Sequence, residues 1–183
     1  MKRSELQSNL AMTVTLISGA MMFITLFMGY AIYRTSADVW PPMGVAKVSL
    51  WLPFLSTLLI AISSWYAYQV RLKVSASNFK SAHANLHLTI MLGFGFMLAQ
   101  SALWYHLKST GIFVTSGIYA SVMYAFTWIH AFHVVLGLLG LIYLRFVIHA
   151  PSARALQVTI NVEKFWHFLG IIWVTMFLGL FVF

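Results

Sequence analysis

The sequence predicts an all-α polytopic membrane protein: a bundle of five transmembrane helices, N-terminus in the cytoplasm and C-terminus in the periplasm. Three observations carry that reading. Of the 183 residues, 61% are hydrophobic and 8% charged, against about a quarter charged in soluble domains, and the mean hydropathy is +0.87. A soluble core of this size cannot hide so much apolar surface, so lipid has to serve as the solvent. Apolar runs near the roughly 20 residues needed for a bilayer crossing recur along the chain. Finally, Lys2, Arg3, Arg71, Lys73, Lys80, Arg145, Arg154 and Lys164 fall on one side of such a bundle, and Arg34, Lys47 and Lys108 on the other. The basic side faces the cytoplasm.

The first span covers Ala11 to Tyr33. Met1-Lys2-Arg3 opens like the basic start of a signal peptide, but the run is longer than a signal core and no Ala-x-Ala site precedes Arg34, which reads as a mature span. The second covers Val48 to Val70, the third Leu86 to Leu107, the fourth Gly117 to Val147 and the fifth Lys164 to Phe183. Their connections are short. Arg34 to Lys47 holds Asp38, Trp40, Pro41 and Pro42; Arg71 to Asn85 is basic; Lys108 to Ser116 is a brief turn; His149 to Glu163 holds Pro151 and Arg154. None can form an extramembranous domain, so residues 1–183 read as a single membrane domain. Trp40, Trp51, Trp65, Tyr66, Tyr68, Trp104, Tyr105 and Trp166 lie near span ends, where aromatic rings prefer the headgroup level.

The same inventory narrows the chemistry. Net charge is +8, but the basic residues stand singly between apolar runs and form no nucleic-acid stripe. Cysteine is absent, which removes disulfides, thiolate metal sites, iron–sulfur clusters and Cys-x-x-Cys-His haem attachment. The acids Glu5, Asp38 and Glu163 lie near or outside span ends, so the spans hold no obvious proton wire. There is no internal repeat of the kind transporters use.

Seven histidines remain: His83, His87, His106, His130, His133, His149 and His167. A stand-alone b-type cytochrome needs two that face each other at equal depth. His87 and His167 match in depth, whereas His130 and His133, on one face of the fourth span, have no partner at their level. A metal shared by His130 and His133 needs further ligands that the neighbouring sequence does not supply. The simpler reading gives His130, His133 and His167 packing and hydrogen-bonding roles. Gly93 and Gly95, Gly137 and Gly140, and Gly170 and Gly179 allow close helix approach, either within the chain or against a partner.

Several motifs occur in a telling order. Trp40-Pro41-Pro42 precedes Thr57-Leu58-Leu59 and Ser63-Ser64; Leu92-Gly93 leads to Gln100; Gly117-Ile118-Tyr119 leads to His130-x-x-His133-Val134 and Gly137; Glu163 precedes Phe165-Trp166-His167-Phe168 and Trp173. Together they resemble the subunit III family of haem–copper cytochrome c and quinol oxidases, in its short five-helix form, across Ala11 to Phe183. The resemblance implies a non-catalytic accessory subunit of a respiratory terminal oxidase in the bacterial inner membrane. Such a chain binds no haem or copper, which reside in partner subunits. It packs on subunit I beside the other subunits of the complex and holds structural phospholipid. Arg145 and His149 match the basic residue and histidine that the family places near lipid phosphate. Trp40, Pro41, Pro42, Gln100, His130, His133, Gly137, Trp166 and His167 match motif positions with structural roles. A short subunit III-like partner of a nitric-oxide reductase is the alternative within the resemblance.

The sequence also departs from the family. Gly19, Leu103 and Gly170 stand where acids are usual, and the first two helices of the seven-helix form are missing. The loss of three acids together implies that the polar network they serve is absent.

Overall fold

The computed structural model describes residues 3–37 and 50–182, and every regular element among them is helical. The chain forms α1 (Arg3–Thr35), α2 (Trp51–Ser75), α3 (Phe79–Ser109), α4 (Ile118–Val147) and α5 (Ala153–Met176), which runs on into a π-helical segment at Phe177–Val182. Among the described residues four stretches are long and apolar enough to cross a membrane: Leu6–Thr35, Phe79–Ser109, Ile118–Val147 and Ala153–Val182. α2 falls short of that mark because Ser56, Thr57, Ser63, Ser64, Tyr66, Tyr68 and Gln69 dilute its apolar residues. The helices also overrun the apolar runs. α3 starts at Phe79 rather than near Leu86, and α5 at Ala153 rather than near Lys164. Caps, not hydropathy, set these starts: Asn78 Oδ1 accepts from the Ser81 N–H at 3.2 Å, and Ser152 Oγ accepts from the Ala155 N–H at 3.0 Å.

α2 and α3 form a tight hairpin. The buried seam of α2 is Pro53, Ser56, Ile60, Ser63, Ala67, Val70 and Val74, with alternating three- and four-residue steps. α3 answers with Ala82, Leu86, Thr89, Gly93, Phe96, Gln100, Leu103 and Leu107 in the same rhythm. That spacing keeps each seam facing its partner, as in a coiled coil. The turn is compact because Ser77 adopts φ +56°. It lets the Asn78 N–H reach Lys73 O at 2.9 Å and the Ser77 N–H reach Val74 O at 3.0 Å, a Schellman ending.

α5 packs on α1, α2 and α4, and α3 on α4. α5 therefore runs through the middle of the bundle, and Trp166, Leu169, Trp173 and Met176 are wholly buried. It lies antiparallel to α2, with Glu163 opposite Arg71, Trp166 opposite Ser63 and Trp173 opposite Thr57. Trp166 fits between two glycines. A Cβ at Gly93 would lie 2.9 Å from its Cη2, and one at Gly137 2.9 Å from its Cε3. Its Nε1–H donates to Ser63 Oγ at 3.1 Å, and Ser63 in turn donates to Thr89 O at 3.0 Å. A single indole thereby joins α2, α3, α4 and α5.

α1 sits at the edge, with a long apolar face outward and Phe23 and Tyr30 buried inward. Polar contacts tie it to α5 at both ends. Asn161 Nδ2 donates to Ser8 Oγ at 2.8 Å and Gln157 Nε2 to Asn9 Oδ1 at 2.7 Å. Tyr30 O–H donates to Gly179 O at 2.8 Å, inside the π-helical segment.

Candidate functional site

The chemistry-bearing side chains gather at one end of the α3–α4 pair. His83 and His87 are one turn apart on α3 and share a face with Leu86 and Ile90. Arg145 lies in the last turn of α4, and His149 follows its C-cap, Ile148. Together they line an open cleft of about 360 Å³. Its apolar floor comes from Leu86 and Ile90, and its rim from three imidazoles and one guanidinium.

The cleft is held in shape from below. Ile148 is fully buried, and its carbonyl accepts from His83 Nε2–H at 2.6 Å. That bond satisfies a carbonyl at the end of α4 and fixes the His83 ring. The ring centroids of His83 and His149 are 5.9 Å apart. Arg145, His87 and His149 are exposed, and among the described residues no carboxylate lines the cleft. Such a rim offers N–H donors and positive charge above an apolar wall. Its chemistry suits a phosphate carried on a hydrocarbon body. Arg145 and His149 were expected together, and they are together. His83 and His87 were not singled out for this role. Their i, i+4 spacing was visible, but only the packing of α3 on α4 aims it at Arg145.

The other expected residues are dispersed. Trp40, Pro41 and Pro42 lie outside the described residues. Gln100 is buried, donates through Nε2 to Ser56 Oγ at 2.9 Å and leaves Oε1 without a partner among the described residues. His130 is wholly buried, and neither ring nitrogen has a hydrogen-bond partner among the described residues. It is held by rings: Phe96 at 5.8 Å, Trp173 at 5.7 Å and Phe23 at 6.2 Å between centroids. The hydrogen-bonding half of its expected role is therefore absent from this arrangement. His133 donates from Nδ1 to Ile129 O at 2.7 Å, within its own helix. Gly137 and Trp166 form the contact described above. His167 lies 3.5 Å from Glu163 Oε1, and Arg71 Nε lies 2.6 Å from Glu163 Oε2. Sequence reading missed this ion pair because Arg71 and Glu163 are far apart along the chain and meet only when α2 lies along α5.

His87 and His167, the depth-matched pair, line different cavities. Among the described residues no three His, Cys, Asp or Glu side chains converge as a metal site requires. The positions that lack the usual acids are filled by packing. Leu103 is fully buried beside Met123 and Tyr124. A Cβ on Gly19 would meet the Phe168 ring at 3.2 Å, and one on Gly170 would meet Ser64 Oγ at 3.3 Å.

Comparison with known proteins gives a consistent result. A family model described as cytochrome c oxidase subunit III matches residues 4–183. The chain is 25% identical to cytochrome c oxidase subunit 3 of Synechocystis, over 89% of this chain and 70% of that protein. It is 27% identical to the corresponding protein of Thermostichus vulcanus, over 94% and 86%. With a probable cytochrome c oxidase subunit 3 of Mycobacterium leprae it shares 29% identity, over 90% and 83%.

Proposed function

The chain belongs to the cytochrome c oxidase subunit III family, and from that premise we propose how it serves as the accessory subunit of a haem–copper oxidase. It lies in the bacterial inner membrane and packs on subunit I. It carries no redox centre of its own, and haem and copper belong to its partners. It holds a phospholipid by the headgroup in the cleft between α3 and α4. The observation that carries the lipid reading is the cleft itself: Arg145, His83, His87 and His149 around an apolar floor, with no carboxylate among the lining.

α2 completes a five-span bundle. It packs along both α3 and α5, turns Ser56 and Ser63 inward, and leaves Phe54, Leu58 and Ile62 outward. A helix with its polar groups satisfied inside and its apolar groups outside suits lipid despite modest average hydropathy. The charge asymmetry supports an N-terminus in the cytoplasm and a C-terminus in the periplasm. Leu103, Gly19 and Gly170 bring apolar packing where acids would bring a polar network, so the contribution to the complex is mechanical and lipid-based.

The test is lipid retention. Arg145→Ala combined with His149→Ala is purified as the assembled complex, and tightly held phospholipid is counted by native mass spectrometry. Loss of one bound lipid per complex is expected. Unchanged lipid stoichiometry in a fully assembled variant would refute the assignment of the cleft.

A further inference from the structure

A second cavity, remote from that cleft in the sequence elements that build it, opens between α2 and α5. It measures about 440 Å³ and is lined by Ile60, Ala61 and Ser64 on one side and by His167, Gly170 and Val174 among others on the other. Small side chains hollow it. Gly170 carries none, and a Cβ there would meet Ser64 Oγ at 3.3 Å. Along α5 it extends from His167 to Thr175, about 12 Å at the helical rise per residue.

The antiparallel register sets what lies at its ends. Glu163 and Arg71 pair one turn beyond His167, on the side that Lys73 and the basic connection also occupy. Toward Thr175 the lining is apolar. Arg71 is 36% exposed, spends Nε on Glu163, and sits 5.0 Å over the Tyr68 ring. These two contacts orient the guanidinium. Glu163 is itself only 8% exposed, so it neutralises Arg71 from behind and does not reach the surface. His167 is 37% exposed. Its Nε2 already lies 3.5 Å from Glu163 Oε1, and only the rest of its polar edge is left to the groove. The exposed Trp65 and Tyr68 flank this end of α2, as expected where headgroups meet tails.

We propose that this groove seats a glycerophospholipid. One acyl chain fills the slot from Ser64 toward Thr175, the polar edge of His167 left open by Glu163 borders the ester region, and the terminal nitrogens of Arg71 take the phosphodiester. The inference rests on α2 crossing the membrane, but not on the α3–α4 cleft binding lipid. The gradation from guanidinium to imidazole to apolar slot follows the order of a phospholipid's phosphate, ester and chain.

The assembled complex is placed in nanodiscs containing phosphatidylglycerol with a diazirine in one acyl chain, irradiated, and digested for peptide mapping. Labelling of the peptides carrying Ala61 and Ile171 is expected. Ala61→Phe, which fills the slot, is expected to cut that labelling several-fold and to leave labelling around Arg145 unchanged. His167→Phe, which keeps the ring and removes its polar edge, is expected to shorten retention of the lipid through detergent washing. Millimolar inorganic phosphate is expected not to compete, because the chain supplies most of the contact. Three results would overturn the proposal: no lipid label on either peptide in the wild-type complex, labelling that Ala61→Phe leaves intact, or displacement by inorganic phosphate. A photoreactive residue at position 171 that captures a polypeptide instead of lipid would likewise assign the groove to a partner subunit. If Ala61→Phe does not assemble, the wild-type map and the His167→Phe retention decide the matter.

Discussion

Gly137 and Gly140 lie one turn apart on α4 and look alike in sequence, yet they should respond oppositely to the same methyl group. In Gly137→Ala the new Cβ would lie 2.9 Å from both Leu169 Cδ1 and Trp166 Cε3. Ordinary carbon contacts need 3.4 Å or more, so the neighbours have to yield by about half an ångström. Trp166 cannot retreat. Its other edge already lies against Gly93, its Nε1–H is bonded to Ser63, and it is wholly buried. Overpacking of this kind costs about 1–3 kcal/mol, against about 0.5–1 kcal/mol gained by replacing a helical glycine with alanine. The net expectation for Gly137→Ala is a loss of about 1–2 kcal/mol. In Gly140→Ala the Cβ meets Val162 at 3.7 Å, an ordinary contact, so only the gain remains. The assay is thermal inactivation of the assembled complex in one detergent, followed by size-exclusion recovery. Gly137→Ala should melt lower than wild type, and Gly140→Ala at or above it. Trp166→Leu in the same background should absorb much of the Gly137→Ala cost, giving a coupling of about 0.5–3 kcal/mol. Equal midpoints for the two alanine variants, or additivity with Trp166→Leu, would refute the wedge between the glycines.

Other substitutions test the polar contacts. Arg71→Ala strands a nearly buried Glu163 carboxylate and should cost about 3 kcal/mol; Glu163→Gln leaves Arg71 able to reach water or headgroups and should cost less, read as complex recovered after heating. Should Glu163→Gln prove the worse of the two, the ion pair would not be governed by burial of the acid. His130→Ala opens a void among Phe23, Phe96 and Trp173 and should lower recovery of the complex by a few kcal/mol of lost packing. The haem bands of the complex that does assemble should be unchanged, and a shifted or bleached band would assign His130 a role at a redox centre. Tyr30→Phe removes the donor to Gly179 O and should cost about 1 kcal/mol, seen as faster proteolysis at the C-terminal end of the chain.

Much of the candidate site was legible, but unevenly. Arg145 and His149 are close in sequence at the end of one helix, so motif order alone joined them. His83 entered the site through a hydrogen bond to the Ile148 carbonyl, and such bonds between distant segments leave no periodic trace. The Arg71–Glu163 pair is hidden for the same reason. His130 shows the reverse: its place in a motif drew attention, but only the rings around it show that it acts by shape.

The sequence by itself determined the solvent, the helical class and the approximate run of each helix, because these depend on local hydropathy, charge and capping residues that every stretch carries alone. It also carried the family, through motifs in a fixed order. Only the tertiary structure decided which small residues are contacts and which are incidental, and which histidine faces which neighbour. It also decided that α2, the one helix without a crossing-length apolar window among the described residues, has its hydroxyls turned inward to Trp166, Trp173 and Gln100. These depend on the rotation and register of one helix against another. Packing of side chains separated by many residues sets both, and no single segment specifies them.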